Sequence, residues 1–204
     1  NTNTITSTGA QTYSGAVTLG SDTTLSGVAI TLGDTVKSDG TNRSLTINDS
    51  GATTLGSAIG GTGAVGSDGD RLASLTTDAG GSTAINGGSV RTTGAQSYGD
   101  ALTLGAVTIL AGSTITSLST VTGTGNALTI TGNSVLGDAA VDTVTGLTTL
   151  SVSGTTAINT NTITSTGSQT YTGAVTLGSD TTLSGVAITL GDTVKSDGTN
   201  RSLT

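Results

Sequence analysis

The sequence lacks several residue types on which most enzymes depend. Among its 204 residues there is no Cys, His, Pro, Met, Trp or Phe, and all 13 acidic residues are Asp. Without Cys there are no disulfides and no thiolate ligands for zinc. Without His, the commonest general base and metal ligand is missing. The six Lys and Arg residues are scattered over a chain of net charge −7, so we expect no nucleic-acid partner.

Long apolar runs are also missing, which limits both membrane insertion and the core. A membrane-spanning helix needs about 20 consecutive apolar residues. No run in this chain approaches that length, so we expect no membrane-spanning segment. Apolar residues make up 32% of the chain and mostly alternate with polar ones. They are enough for a thin core, in which each side chain meets its neighbours above, below and across, but not for a thick interior.

Short strand patterns fill what remains. Thr, Ser and Gly account for 106 residues, and these types are mediocre or poor helix formers. Triplets of apolar, Thr and apolar residues recur, as strands with inward aliphatics and an outward Thr would require: they are 17–19, 30–32, 45–47, 102–104, 107–109 and 128–130. Such short strands are not stable alone. The pattern therefore predicts an all-β fold, a parallel β-solenoid in which short strands pair from coil to coil.

A long internal repeat organises the chain. Residues 1–46 recur at 159–204 with an offset of 158 and two differences, Ala10 against Ser168 and Ser14 against Thr172. A weaker copy at 84–105 matches 157–178 with an offset of 73 and the opening residues with an offset of 85. Tyr13, Tyr98 and Tyr171 are therefore equivalent positions of the repeat. With coils of roughly 20–22 residues, one unit would make about seven coils, each advancing about 4.8 Å.

The repeat divides the chain into units of one continuous solenoid. Residues 1–204 are interpreted as a single window, with one full unit at 1–158 and the start of the next at 159–204. Within the first unit, the subrepeats cover about 1–85 and 86–158. Because the window stops inside a repeat, we expect it to belong to a longer array. Stability along such an array is roughly additive over its coils.

The phrases TSTGAQTYSGAVTLGSDTTLSG and LASLTTDAGGSTAING resemble the repeats of large bacterial surface proteins. These are β-strand-repeat proteins akin to filamentous haemagglutinin-like and autotransporter-type adhesins. The resemblance is clearest at 1–32, 72–105 and 157–190. It implies a right-handed β-helical rod, secretion to the bacterial cell surface, and a role in adhesion, biofilm or surface layers. It carries no catalytic residues to transfer.

Asp residues in Gly-rich turns are the weak candidates for a metal site. Asp68 and Asp70 form the densest group, followed by Asp39 and its copy Asp197. Carboxylates in such loops can bind Ca²⁺, which takes six to eight oxygen ligands. The calcium-binding nonapeptide begins at Gly60 but fails because Val65 occupies the Asp position. We therefore expect no cofactor, with turn chemistry as the main role of these residues and Ca²⁺ as the alternative.

Other binding roles rest on Tyr and Thr. The three equivalent Tyr residues could form a platform for host or surface glycans, but we expect them to cover a corner of the core with their hydroxyls in water. Flat arrays of Thr can bind ice, but the spacing of Thr in this sequence varies, which disfavours aligned rows.

Paired carboxylates can hydrolyse glycosides. Here the Asp residues lie in repeated turn positions, so the chain is predicted to have no enzymatic activity.

Two functions remain from the sequence. The first is an extracellular structural protein whose repetitive rods associate end to end or laterally into a filament, sheath or matrix fibre. Near-identical units favour it because equal units make equal contacts. The alternative is the stalk of a giant bacterial adhesin that presents a distal binding domain.

Overall fold

The computed structural model describes residues 2–62 and 68–204, without the side chain of Asp68. These residues form 23 strands and one 3₁₀ turn, Asp68–Asp70, and contain no α-helix. The strands are β1 (Thr4–Thr6), β2 (Gln11–Tyr13), β3 (Val17–Leu19), β4 (Thr23–Gly27), β5 (Ile30–Leu32), β6 (Val36–Ser38), β7 (Ser44–Asp49), β8 (Ala52–Leu55), β9 (Ser74–Thr77), β10 (Ser82–Ile85), β11 (Ser89–Arg91), β12 (Gln96–Tyr98), β13 (Ala101–Leu104), β14 (Thr108–Ser117), β15 (Val121–Leu136), β16 (Thr143–Val152), β17 (Thr156–Ile158), β18 (Thr162–Ser165), β19 (Ser168–Tyr171), β20 (Val175–Leu177), β21 (Thr182–Ser184), β22 (Ala187–Leu190) and β23 (Val194–Ser196).

Strands pair with the coil before and the coil after, always in parallel, within the described residues. The pairings define three faces. Face A contains β1, β4, β7, β9, β12, the end of β14, the end of β15, β17, β20 and β23. Face B contains β2, β5, β8, β10, β13, the starts of β15 and β16, β18 and β21. Face C contains β3, β6, β11, the start of β14, the middle of β15, the end of β16, β19 and β22.

The predicted fold class is confirmed. The chain is an all-β parallel solenoid of about nine turns, and each coil passes through faces A, B and C in that order. Strands β14, β15 and β16 continue round the corners and join the faces into one sheet of 21 strands, while β3 and β6 form a separate pair. The thin core is a column of aliphatic side chains, most of them fully buried.

Alternation of apolar and polar residues places the core as the sequence predicts, with one exception. The triplets at 30–32, 45–47, 102–104 and 128–130 bury both aliphatic side chains, and in each the middle Thr is only partly buried. The triplet at 107–109 is inverted, because Thr108 is buried whereas Val107 and Ile109 expose 63% and 45% of their surface. Leu110 fixes this parity, since it is buried between its register partners Val90 and Ile130.

Coil length varies, and turns absorb the variation. Register partners on face B lie between 19 residues apart, as for Gln11 and Ile30, and 30 apart, as for Thr53 and Thr83. The additional residues of a longer coil lie in the turns between strands, so the strands keep their register with the neighbouring coils. Variable spacing therefore still produces aligned outward rows, contrary to the sequence expectation. The row on face B is Thr12, Thr31, Thr54, Ala84, Thr103, Thr122 and Thr145.

This row is one Thr wide. The residues two positions before Thr31, Thr54 and Thr103 are all Ala, and those two positions after are all Gly. Face B therefore presents a single column of Thr between columns of small side chains. Through these coils it does not present the paired Thr-x-Thr columns that ice binding would need.

The sequence repeat does not return to the same face. Thr12 lies on face B of the first coil, whereas its copy Thr170 lies on face C of the eighth. The equivalent Ser97 lies on face A of the fifth coil. One unit of 158 residues therefore spans seven coils and one further face, instead of the seven coils expected. The second copy therefore presents its surface one third of a turn further round the axis than the first.

Candidate functional site

A buried Gln–Tyr pair recurs in all three copies of the repeat. In the middle copy, Gln96 is fully buried on face A, and its Nε2 donates to the carbonyl oxygens of Val90 (3.1 Å) and Ala111 (3.0 Å). Val90 lies on face C of the fourth coil, and Ala111 lies on face C of the fifth coil, which also contains Gln96. The Tyr98 hydroxyl donates to Gln96 Oε1 at 2.9 Å. One side chain thus bonds carbonyl oxygens of two stacked coils, and the tyrosine holds it in place.

The same contacts form on the other two faces. Gln11 on face B donates to the carbonyl oxygens of Ile5 and Ser26, and Gln169 on face C donates to those of Ile163 and Ser184. The hydroxyls of Tyr13 and Tyr171 donate to these amides at 2.7 and 2.9 Å. The local arrangement is therefore a property of the sequence phrase, independent of the face on which it falls.

The three tyrosines occupy interior positions. Tyr98 and Tyr171 are fully buried, and this burial raises the pKa of both phenols. Neither offers an aromatic face to a sugar, and their hydroxyls donate to glutamine instead of to water. Tyr13, in the first coil, is half-buried. Sequence reasoning noticed the tyrosines but missed the glutamine partner, although Gln-x-Tyr stands in every copy.

Two of the weak calcium candidates are held by arginine. Arg43 contacts both carboxylate oxygens of Asp39, each at 3.1 Å, and Arg201 contacts both of Asp197 at 3.3 and 3.0 Å. These hydrogen bonds hold the pKa of each carboxyl below its usual range. Each carboxylate also accepts the backbone N–H two residues on, as expected for a turn.

The other candidates lie beside the undescribed segment. Asp70 ends the 3₁₀ turn, and its Oδ1 lies 3.3 Å from Lys37 Nζ, with both side chains a little less than half exposed. The Asp68 side chain and residue 65, at which the nonapeptide motif failed, lie outside the described residues. Across the described residues, no group of three acidic side chains is placed to hold a metal ion.

A row of three carboxylates that sequence reasoning missed lies at the corner between faces A and B. Asp49 ends β7, Asp78 follows β9, and Asp100 precedes β13, so the three occupy consecutive coils. We call them the acidic corner. Asp49 is well satisfied, because its Oδ2 accepts the Ile30 N–H (3.1 Å) and its Oδ1 accepts the Thr53 hydroxyl (2.9 Å). Burial nevertheless raises its pKa, and the charge of Asp78 adds to the effect.

Asp100 is the exception in this row. Only 3% of its surface is exposed, and neither carboxylate oxygen has a hydrogen-bond partner among the described residues. Burial raises its pKa, although the Thr83 hydroxyl lies near enough to lower it partly. The other two copies of the repeat have Gly15 and Gly173 at this position. The replacement of Gly by Asp in the middle copy is therefore the sequence signal that could have identified Asp100.

The terminal coils of the described segment leave inward-facing residues open. Ile30, Val36 and Leu45 are completely or almost completely buried in the second and third coils. Their copies in the last coils are Ile188, Val194 and Leu203, which expose 37%, 39% and 37% of their surface. At the other end, Ile5, Tyr13 and Val17 line an opening into the core. The same residues are thus buried or open according to whether another coil covers them.

Comparison with known proteins gives no match. No protein-family model matches the chain, and neither does any curated protein or solved structure. Among the described residues there is no helix with the length and apolar character needed to cross a membrane.

Proposed function

We propose that this chain is a non-enzymatic structural segment of an extracellular rod, and that such rods build a surface filament, sheath or matrix fibre. The extracellular location is the part that depends on the resemblance of the repeat phrases to bacterial surface proteins. The mechanical part depends on the stacking of coils over one continuous core.

The observation that carries the proposal is the way each coil covers the next. Val36 in the second coil is completely buried and pairs in parallel with Ile59 of the third coil. Each coil thus supplies its neighbour with strand pairing and core contacts, and the near-identical copies at 1–46 and 159–204 can extend one rod with the same kind of contact.

Electron microscopy of the purified 204-residue chain at increasing concentration tests the proposal. Nine coils span about 43 Å at about 4.8 Å each. We expect rods several times longer than this, with a layer line near 4.8 Å and lengths that increase with protein concentration. Single rods of one fixed length at all concentrations would contradict the filament and favour the alternative, the stalk of a giant adhesin.

Two variants separate end-to-end contact from other association. Val194→Lys places a charge at an open end, and we expect it to shorten the filaments. Val107→Lys introduces the same charge at a side position that is already 63% exposed, and we expect filament length to stay unchanged. Equal shortening by both variants would show that the coil ends are not the contact.

A further inference from the structure

The unsatisfied groups of the acidic corner need a partner that the described residues do not supply. Both oxygens of Asp100 and the hydroxyls of Thr83 and Thr77 are buried without a hydrogen-bond partner in the described part of the chain. Thr83 and Thr77 expose 0% and 2% of their surface. A buried polar group without a partner costs free energy, and an ionised one costs much more unless it is paired or bound to a metal.

Backbone packing brings these groups together. Gly99 rests directly on the preceding coil, since a Cβ built on it would lie 2.6 Å from the Asp78 carbonyl oxygen. Asp78 therefore lies against Gly99, the residue before Asp100, in the neighbouring coil. Thr83 is the register partner of Leu102 in the next coil, and Leu102 is two residues after Asp100. Its hydroxyl lies close to the Asp100 carboxyl without reaching hydrogen-bond geometry.

Carboxylates of neighbouring coils act on one another at this corner. After burial, the charges of Asp78 and Asp49 raise the pKa of Asp100, and the charge of Asp78 raises the pKa of Asp49. This is the reverse of Asp39 and Asp197, for which an arginine supplies the cation.

We propose that Asp100, Asp78 and Thr83 bind a divalent cation, with Ca²⁺ as the best match. All the available ligands are oxygens, and Ca²⁺ accepts irregular sets of six to eight oxygens with water completing the shell. Mg²⁺ demands a near-ideal octahedron, which a solenoid corner does not prearrange. The half-buried Asp78 leaves the site open to solvent. Asp49 is not a ligand, because its two oxygens are already bonded to Ile30 and Thr53. Asp78 Oδ1 accepts the Asp49 N–H at 3.3 Å, so Asp78 would bind the ion through Oδ2.

Calorimetric titration of the whole chain with CaCl2, alongside thermal melting in chelator and in Ca²⁺, tests this site. We expect saturable binding and a rise in Tm of about 5–10 °C when free Ca²⁺ is 100 times Kd. Asp100→Asn should abolish both effects while preserving shape. The matched control Asp192→Asn removes an exposed carboxylate from another coil and should respond to Ca²⁺ like the parent chain.

A second variant keeps the test decisive if Asp100→Asn fails to fold. Thr83→Val removes only the hydroxyl ligand and should weaken Ca²⁺ binding several-fold. Absence of saturable binding in the parent chain would overturn the proposal, and the corner would then hold a neutral carboxylic acid or water. Binding that is unchanged in Asp100→Asn or Thr83→Val would also overturn it, because the ion would lie elsewhere.

Discussion

Replacing Leu75 with Asp is expected to unfold the coils around it. Leu75 is completely buried in β9, between its register partners Leu45 and Gln96. A carboxylate there would lie in a thin apolar column with no cation beside it, so the loss should be at least about 4 kcal/mol. Hydrogen exchange read by mass spectrometry should show lost protection over the third to fifth coils, with the seventh to ninth largely protected, because each coil contacts only its neighbours.

The adjacent residue supplies the control for this substitution. Thr76 lies on the same strand but faces outward and is exposed. Thr76→Asp adds the same charge at the same height on the rod, and its effect should stay within about 0.5 kcal/mol. A loss of protection along the whole chain in Leu75→Asp would contradict additive coils, since it would mean that the rod unfolds as one unit.

Replacing Gln96 with Ala is expected to be the next most damaging change. It removes the amide that bonds the carbonyl oxygens of Val90 and Ala111, and it leaves the buried Tyr98 hydroxyl without an acceptor. The Ala111 carbonyl keeps its hydrogen bond from the Thr92 N–H. The orphaned Tyr98 hydroxyl costs about 1–3 kcal/mol and each hydrogen bond lost by a carbonyl about 0.5–1.5 kcal/mol, so we expect a total loss of about 3–5 kcal/mol in denaturant titrations.

The first copy of the repeat offers a matched comparison. Gln11 makes the same kinds of contact, but it is 8% exposed and its partner Tyr13 is half-buried at the open end. Water can reach those groups, so Gln11→Ala should cost clearly less than Gln96→Ala. If the two variants lose equal free energy of unfolding, burial does not strengthen the Gln–Tyr contact, and our explanation of its stability would be wrong.

Much of the fold is predictable because alternation and the repeat are local signals. The triplets at 30–32 and 102–104 identify strands and their buried faces without any knowledge of the coil. The inverted triplet at 107–109 was mispredicted, because its parity is set by Leu110 and the neighbouring coils. Coil register is a non-local property, and a pattern of three residues does not contain it.

The acidic corner shows the corresponding limit for sites. Sequence reasoning selected Asp39 and Asp197 because they stand in Gly-rich turns, and in the structure an arginine four residues on holds each of them. Asp100 was not among the predicted site residues because it has no acidic neighbour in the sequence. Its significance arises only when consecutive coils stack it near Asp78 and Thr83, residues that are 22 and 17 positions away in the chain.

The third-of-a-turn step has a consequence for any assembly built from this chain. Equivalent surface residues such as Thr12 and Thr170 point to different sides of the rod. A lateral contact that the first copy makes through face B would therefore be made by the second copy through face C. Rods that associate through such contacts should wind about one another instead of forming a flat sheet, provided that the array continues with the same period.

Distances between spin labels along face B test the central claim, the coil register, most directly. The chain has no Cys, so paired Cys substitutions carry the only labels. The pairs Thr31 with Thr122, Thr31 with Thr145, and Thr12 with Thr145 are four, five and six coils apart on the outward row. Pulsed electron resonance should give narrow distributions near about 19, 24 and 29 Å, a step of about 4.8 Å per coil. Broad distributions, or distances that do not rise by this step, would contradict the stacked solenoid.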